Sequence, residues 1–90
     1  MKLIRRTSQF KKDVKRMKKR GRDLSKLKEI LQVLTRDEEL GSKFRDHILL
    51  VGQYTGTREC HIEPNWLLIY ERTEDEIVLI RTGSHSDLFK

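Results

Sequence analysis

Three histidines, His47, His61 and His85, are the side chains of this sequence best suited to moving protons, because imidazole titrates near neutral pH. Asp46, Arg58, Glu63, Asn65, Trp66, Arg81 and Ser84 lie in the same C-terminal half. Together they hold the parts that RNA cleavage needs. A base takes the proton of a 2′-hydroxyl, which attacks the adjacent phosphorus. An acid protonates the departing 5′-oxygen, and a cation offsets the charge growing on the phosphate. Arginine fits the last task through its permanently charged, bidentate fork, and an aromatic ring can stack an unstacked base. Such a reaction calls for no cofactor. The histidines also lack the H-x-x-x-H spacing of a helix-borne zinc site, so no metal is assigned.

Plainer readings stand beside these. A strand histidine is commonly a solvated surface residue, Trp66 can be core, and Phe89 can clamp the C-terminus to the domain. Cys60, the single cysteine, sits on the apolar phase of its segment and reads as a small buried hydrophobe.

The elements that must position these residues follow from periodicity. Residues 2–6 read as a strand. Thr7 or Ser8 caps a helix whose Phe10, Val14 and Met17 share one face, and Gly21 stops it. Asp23 caps a second helix, with Leu24, Leu27, Ile30, Leu31 and Leu34 at helical spacing to about residue 36. The short link predicts a helical hairpin. After Gly41 the period shortens. Strands are predicted at Ile48–Tyr54, Arg58–Glu63, Trp66–Arg72 and Glu76–Arg81, with Thr82-Gly83-Ser84 breaking the last one and Ser86–Phe89 forming a terminal turn.

The expected fold is thus α+β: a two-helix hairpin on a small antiparallel-dominated sheet in the order β-α-α-β-β-β-β, a single domain over 1–90 with the other sheet face partly open. The hairpin of the last two strands returns Arg81 towards Asn65 and Trp66. His61, Asn65, Arg81 and His85 would then share one end of the sheet.

Charge divides the chain. Residues 1–36 carry fourteen Lys/Arg against three Asp/Glu, and residues 37–90 carry six against eleven, within an overall +6. Lys11, Lys12, Lys15, Lys18 and Lys19 crowd the first helix, a density of one sign that favours contact with a phosphate backbone. One cysteine excludes an internal disulfide framework and a Cys-based zinc site, which fits a reducing compartment. No run approaches the ~20 apolar residues of a membrane span, and the first residues lack a signal-peptide apolar stretch. A cytoplasmic protein without membrane contact is expected.

Two strings, Arg58-Glu59-Cys60-His61-Ile62-Glu63-Pro64-Asn65-Trp66-Leu67-Leu68-Ile69-Tyr70 and Arg81-Thr82-Gly83-Ser84-His85-Ser86-Asp87-Leu88-Phe89, resemble the YafQ branch of the RelE/ParE toxin superfamily. Phe44-Arg45-Asp46-His47 and the Leu24–Leu34 helix are similar to the same branch. The combination H-x-E-P-x-W, R-T-G-[ST]-H and a terminal Phe is specific, although each piece alone is weak.

The resemblance implies a type II toxin, a ribosome-dependent mRNA endonuclease cutting A-site codons. A cognate antitoxin of DinJ or RelB type would neutralise it, with DNA contacted only through that complex. By position, the resemblance puts His47 and His61 on the RNA path and Trp66 near the base. Arg81 takes the phosphate, His85 is the general acid, and Phe89 is its flanking aromatic. The sequence departs from the family at Asn65, where the family usually has Asp as base or base partner; an amide has nearly the same shape but takes no proton at neutral pH. Two other readings stand beside this one: a ParE-like toxin directed at DNA gyrase, and an RNA- or ribosome-binding module weakened in chemistry by Asn65.

Overall fold

Thr7 starts the first helix by using its hydroxyl twice. Oγ1 accepts from the Phe10 amide at 3.0 Å and donates to the Ile80 carbonyl at 2.8 Å, which fixes the helix start to the sheet. The computed structural model describes residues 1–89. Strand β1 is Leu3–Arg6, helix α1 is Ser8–Lys19 and helix α2 is Leu24–Thr35. Helix α1 ends in a Schellman closure, with Gly21 at φ +81° and bonds Arg22 N–H to Met17 O and Gly21 N–H to Lys18 O. Helix α2 closes in the same way over Val33 and Leu34, but Asp37 takes the left-handed position at φ +58°. With no glycine there, the leucine spacing marks this end.

Strand β2 is His47–Ile48, β3 is Arg58–Glu63, β4 is Trp66–Arg72 and β5 is Glu76–Gly83; α3 is His85–Leu88. The sheet order is β1-β5-β4-β3-β2. Three of the four pairings are antiparallel, and β1 adds to β5 in parallel. This is the expected α+β architecture. The central strand β4 is buried along Trp66–Tyr70. Trp66, Leu68 and Tyr70 join Phe10, Met17, Leu27, Ile30 and Leu34 in the main core, where each well-buried aliphatic contributes roughly 1.5–3 kcal/mol. Leu67 and Ile69 face the other way, where Leu88, Leu49 and Tyr54 cover them. That second face is therefore closed in part by α3 and by the segment after β2.

Three expected boundaries need correction. The run Ile48–Tyr54 is not a strand. Pairing stops at Ile48, and residues 49–57 form a turn closed by Leu49 N–H to Thr57 O at 2.8 Å and Gly56 N–H to Leu49 O at 2.9 Å. Gly52 and Gly56 sit at φ near +90°, which a strand does not tolerate, and Leu50 and Val51 stay 80% and 83% exposed. Strand β5 continues through Thr82 to Gly83 instead of breaking. Gly83 serves close approach: a Cβ there would lie 2.9 Å from the Asp87 Cβ. Finally, the terminal turn is a short helix with a full capping box between Ser84 and Asp87. No helix among the described residues is long and apolar enough to cross a membrane.

Candidate active site

The three histidines form a row. The His47 and His61 ring centroids are 6.4 Å apart, and those of His61 and His85 are 5.8 Å apart. Three different elements bring them there. His47 opens the two-residue β2 and stands opposite Glu59 in register. His61 lies in β3 on the phase opposite Cys60 and Ile62, which point into the helix-side core. His85 begins α3, which folds back because Leu88 is buried on the sheet face beside Leu67 and Ile69.

Each ring is held differently. His47 Nδ1 lies 2.8 Å from the Arg45 carbonyl, so it carries the proton, and Nε2 faces Glu59 at 3.4 Å, an ion pair when the ring is charged. His61 Nδ1 is buried without a hydrogen-bond partner among the described residues. Burial holds this ring below the ordinary imidazole value, and the neighbouring Arg45, His85 and His47 push the same way against Glu59, so it is neutral at pH 7. His85 is fixed by Asn65, whose Oδ1 accepts from the His85 amide at 3.1 Å and lies 2.8 Å from Nδ1. Because that oxygen is an acceptor, Nδ1 carries the proton and Nε2 is left for another partner.

Arg81 stands apart from the row. In register it is opposite Ile69, while His61 is opposite Leu67 and Leu67 opposite Gly83. Two strand spacings, about 10 Å, therefore separate β3 from β5. Its guanidinium donates through Nε to Asp13 Oδ2 at 2.7 Å and through Nη2 to Asp13 Oδ1 at 3.1 Å, and Nη1 reaches the Tyr54 hydroxyl at 3.1 Å. Asp13 is wholly buried in α1 and also accepts from Gln9, Arg16 and the Thr82 amide. Burial alone would raise the Asp13 carboxyl, but the hydrogen bonds from Arg81, Gln9 and Thr82 outweigh it and hold it below the usual carboxylate range. The hydrogen bond that Arg81 donates to Asp13 raises Arg81 further above its already high value. Beside Arg81 opens a recess of about 400 Å³ lined by Tyr54, Asp87 and Phe89. Phe89 is 44% exposed and meets Tyr54 edge-on with centroids 6.0 Å apart.

The structure thus brings His47, His61, Asn65 and His85 together, and sets Arg81 and Phe89 at an adjoining recess. It does not bring Trp66 to the surface. That ring is fully buried, its indole N–H donates to the Thr82 hydroxyl at 2.9 Å, and the hydroxyl donates on to the Leu67 carbonyl at 2.7 Å. The expectation that Trp66 meets a base is therefore corrected: its alternate strand phase faces the helices. Lys11, Lys12, Lys15, Lys18 and Lys19 are all exposed on α1, and none joins a salt bridge among the described residues.

Asp46, Arg58 and Glu63 have structural partners. Asp46 accepts from Arg58 and from the Tyr70 hydroxyl, and Glu63 joins Arg22 and Lys26 at 2.6 Å each. Cys60 is buried, and burial pushes its thiol well above the ordinary range. Among the described residues no group of three or more His, Cys, Asp or Glu is arranged to hold a metal ion.

Sequence reasoning missed Asp13, Tyr54 and Glu59. Asp13 did carry a signal: it sits at the i+3 position of the buried face Phe10, Asp13, Met17, where an unpaired carboxylate would not survive. Glu59 shares the strand phase of His61. Tyr54 had none, since it comes from the turn mistaken for a strand.

Comparison with known proteins shows the family to which the chain is similar. Residues 2–90 match the family described as "Bacterial toxin of type II toxin-antitoxin system, YafQ". The mRNA interferase toxin YafQ of Escherichia coli strain K12 is 39% identical over 84 residues, which is 92% of this chain and 90% of the relative. Among solved structures, the E. coli DinJ-YafQ complex superposes with a TM-score of 0.91 at 37% identity, over 100% of both chains. A metal-bound toxin from Helicobacter pylori superposes with a TM-score of 0.89 at 38% identity, over 99% of this chain and 100% of that one.

Proposed function

The chain belongs to the YafQ family of type II toxins, and from that premise we propose that it is an mRNA interferase that cuts messenger RNA in the ribosomal A site. The observation that carries the reading is the row of three imidazoles, 6.4 and 5.8 Å apart, on the same sheet as an arginine that keeps two N–H groups unengaged about two strand spacings away.

In this reading His61, kept neutral by burial, takes the 2′-hydroxyl proton. The 2′-oxygen attacks phosphorus, and the bond to the 5′-oxygen breaks. His85, protonated at Nε2, delivers that proton to the leaving oxygen. The products are a 2′,3′-cyclic phosphate and a 5′-hydroxyl. Arg81 stabilises the charge on the phosphate in between. Asn65 orients His85 through Nδ1 but contributes no charge. His47, next to Glu59, flanks the RNA path, and Phe89 closes the far side. The exposed lysines of α1 supply sequence-independent attraction to RNA phosphates. The same basic face suits an acidic antitoxin, and the E. coli relative has been solved with DinJ.

One observation favours a second reading, a ribosome-binding protein with little chemistry: position 65 is an amide, which lends His85 no charge. Translation of a defined mRNA with purified protein, with ends mapped by primer extension, tests both. Codon-positioned ends from this chain support the interferase. Ends from Asn65→Asp alone mean an intact scaffold with weakened chemistry. None from either protein, folded and ribosome-bound, removes the interferase reading.

A further inference from the structure

Among the described residues Asp13 is the one carboxylate with no solvent exposure, in a chain of net charge +6. A buried charge is retained only where it is paired and hydrogen-bonded, and it is rarely the cheapest way to fill a core. Asp13 spends its two oxygens on a specific set of donors. Oδ2 takes Arg81 Nε and the Thr82 amide, and Oδ1 takes Arg81 Nη2, Gln9 and Arg16. The Tyr54 hydroxyl holds Arg81 Nη1 from the other sheet face. A guanidinium has five N–H groups. Three are engaged, so one on Nη1 and one on Nη2 remain, and the group is 18% exposed at the recess beside Phe89.

We propose that Asp13 and Tyr54 form a two-sided clamp that positions Arg81, so that its two unengaged N–H groups meet the RNA phosphate without reorganisation. Asp13 and Tyr54 are positioning residues. An arginine on a free side chain must give up rotamer entropy when it binds phosphate. This one has already given it up on folding, and the carboxylate offsets part of its charge while fixing its plane. Tyr54 also keeps its own hydroxyl proton available for a phosphate oxygen, since it accepts from Arg81. The clamp draws one jaw from the first helix and one from the turn after β2, and so ties Arg81 to two elements far apart in sequence.

The inference rests on the ribonuclease reading for its effect on rate, though not for the clamp itself. Single-turnover cleavage of ribosome-bound mRNA is measured for wild type, Asp13→Asn, Tyr54→Phe, Arg81→Ala and the double variant Asp13→Asn/Arg81→Ala. In parallel, the Arg81 Nε–H resonance is followed by ¹⁵N NMR. Asp13→Asn is expected to slow cleavage about 10- to 100-fold with ribosome affinity unchanged, and Tyr54→Phe, which leaves the core intact, about 3- to 10-fold. In the Arg81→Ala background Asp13→Asn adds less than about twofold, because the partner through which it acts is gone. The Nε–H proton is slow to exchange in wild type and fast in Asp13→Asn.

Independent, additive losses would mean a merely structural carboxylate and overturn the proposal. So would Tyr54→Phe and Asp13→Asn both cleaving at the wild-type rate, or an Arg81 resonance unmoved by Asp13→Asn. Wild-type protein that shows the protected resonance but cuts no RNA would sink the ribonuclease reading and leave the clamp standing.

Discussion

The histidine row and the Arg81 recess lie on one sheet yet are built by opposite means. Arg81 is gripped on two sides, by a buried carboxylate and by a tyrosine from a closed turn. The histidines are held more lightly: His47 by the Arg45 carbonyl with Glu59 at 3.4 Å, His85 by the Asn65 amide oxygen, and His61 Nδ1 by no hydrogen-bond partner among the described residues. The difference fits the tasks proposed for the two regions. A group that stabilises charge gains from being fixed before the reaction. Groups that give and take protons must keep a ring nitrogen free and a protonation equilibrium near neutral pH. In the proposed mechanism, rigidity is concentrated where charge would develop, and freedom where protons would travel.

That contrast can be broken most directly at His85. His85→Ala should lower cleavage by about 10²- to 10⁴-fold while leaving the unfolding midpoint nearly unchanged, since the ring is exposed. Primer extension and a thermal melt on the same preparation check both halves, and full activity in the folded variant would remove His85 from the chemistry. On the rigid side the expected loss is in stability. Asp13→Ala leaves Arg81 without its buried partner and should cost about 3–5 kcal/mol by urea unfolding. A cost under about 1 kcal/mol would show that the clamp is not part of the core.

Position 65 sharpens the comparison by adding charge to the loose half. In Asn65→Asp a carboxylate would face His85 Nδ1 and favour the imidazolium. The acid form would then persist to higher pH, and the alkaline limb of the cleavage profile should move up. An unmoved limb would mean that His85 is not the acid.

The smallest effect concerns acid stability. Arg20 and the Ser84 amide hold Asp87 below the usual carboxylate range, and Asp13 is likewise depressed. Folded carboxyls with lowered pKa stabilise the protein above their unfolded value of about 4, and this stability is lost as pH falls from there towards the folded values. Asp87→Asn should flatten the stability profile below about pH 4 and leave it unchanged in shape above pH 6. A profile as steep as wild type would assign acid sensitivity to other groups.

Much of this was legible in the residues. The leucines of α2 and the alternation of β3 fixed the helix hairpin and the outward phase of His61, because apolar period is a property of the local chain. For Trp66 the plainer core reading holds and the base contact implied by the resemblance does not; alternation tells which residues share a face but not which face the helices cover. The run Ile48–Tyr54 was misjudged because its apolar residues look like a strand, whereas Gly52 and Gly56 dictate a turn with Leu50 and Val51 exposed. The end of α2 was legible too: the leucine spacing runs to about residue 36 and the helix stops at Thr35, although its left-handed closing residue is Asp37 and not a glycine.

By itself the sequence determined the α+β class, the basic first helix and the residue types for proton transfer and phosphate binding, since composition and short-range spacing carry that information. Only the tertiary structure decided which of those residues meet. The 5.8 Å approach of His85 to His61 depends on Leu88 docking across the sheet, and the grip on Arg81 joins residues 68 positions apart. Such contacts depend on packing, sheet register and burial, and they exist only once the helices and the β2–β3 turn have closed on opposite faces of the same strands.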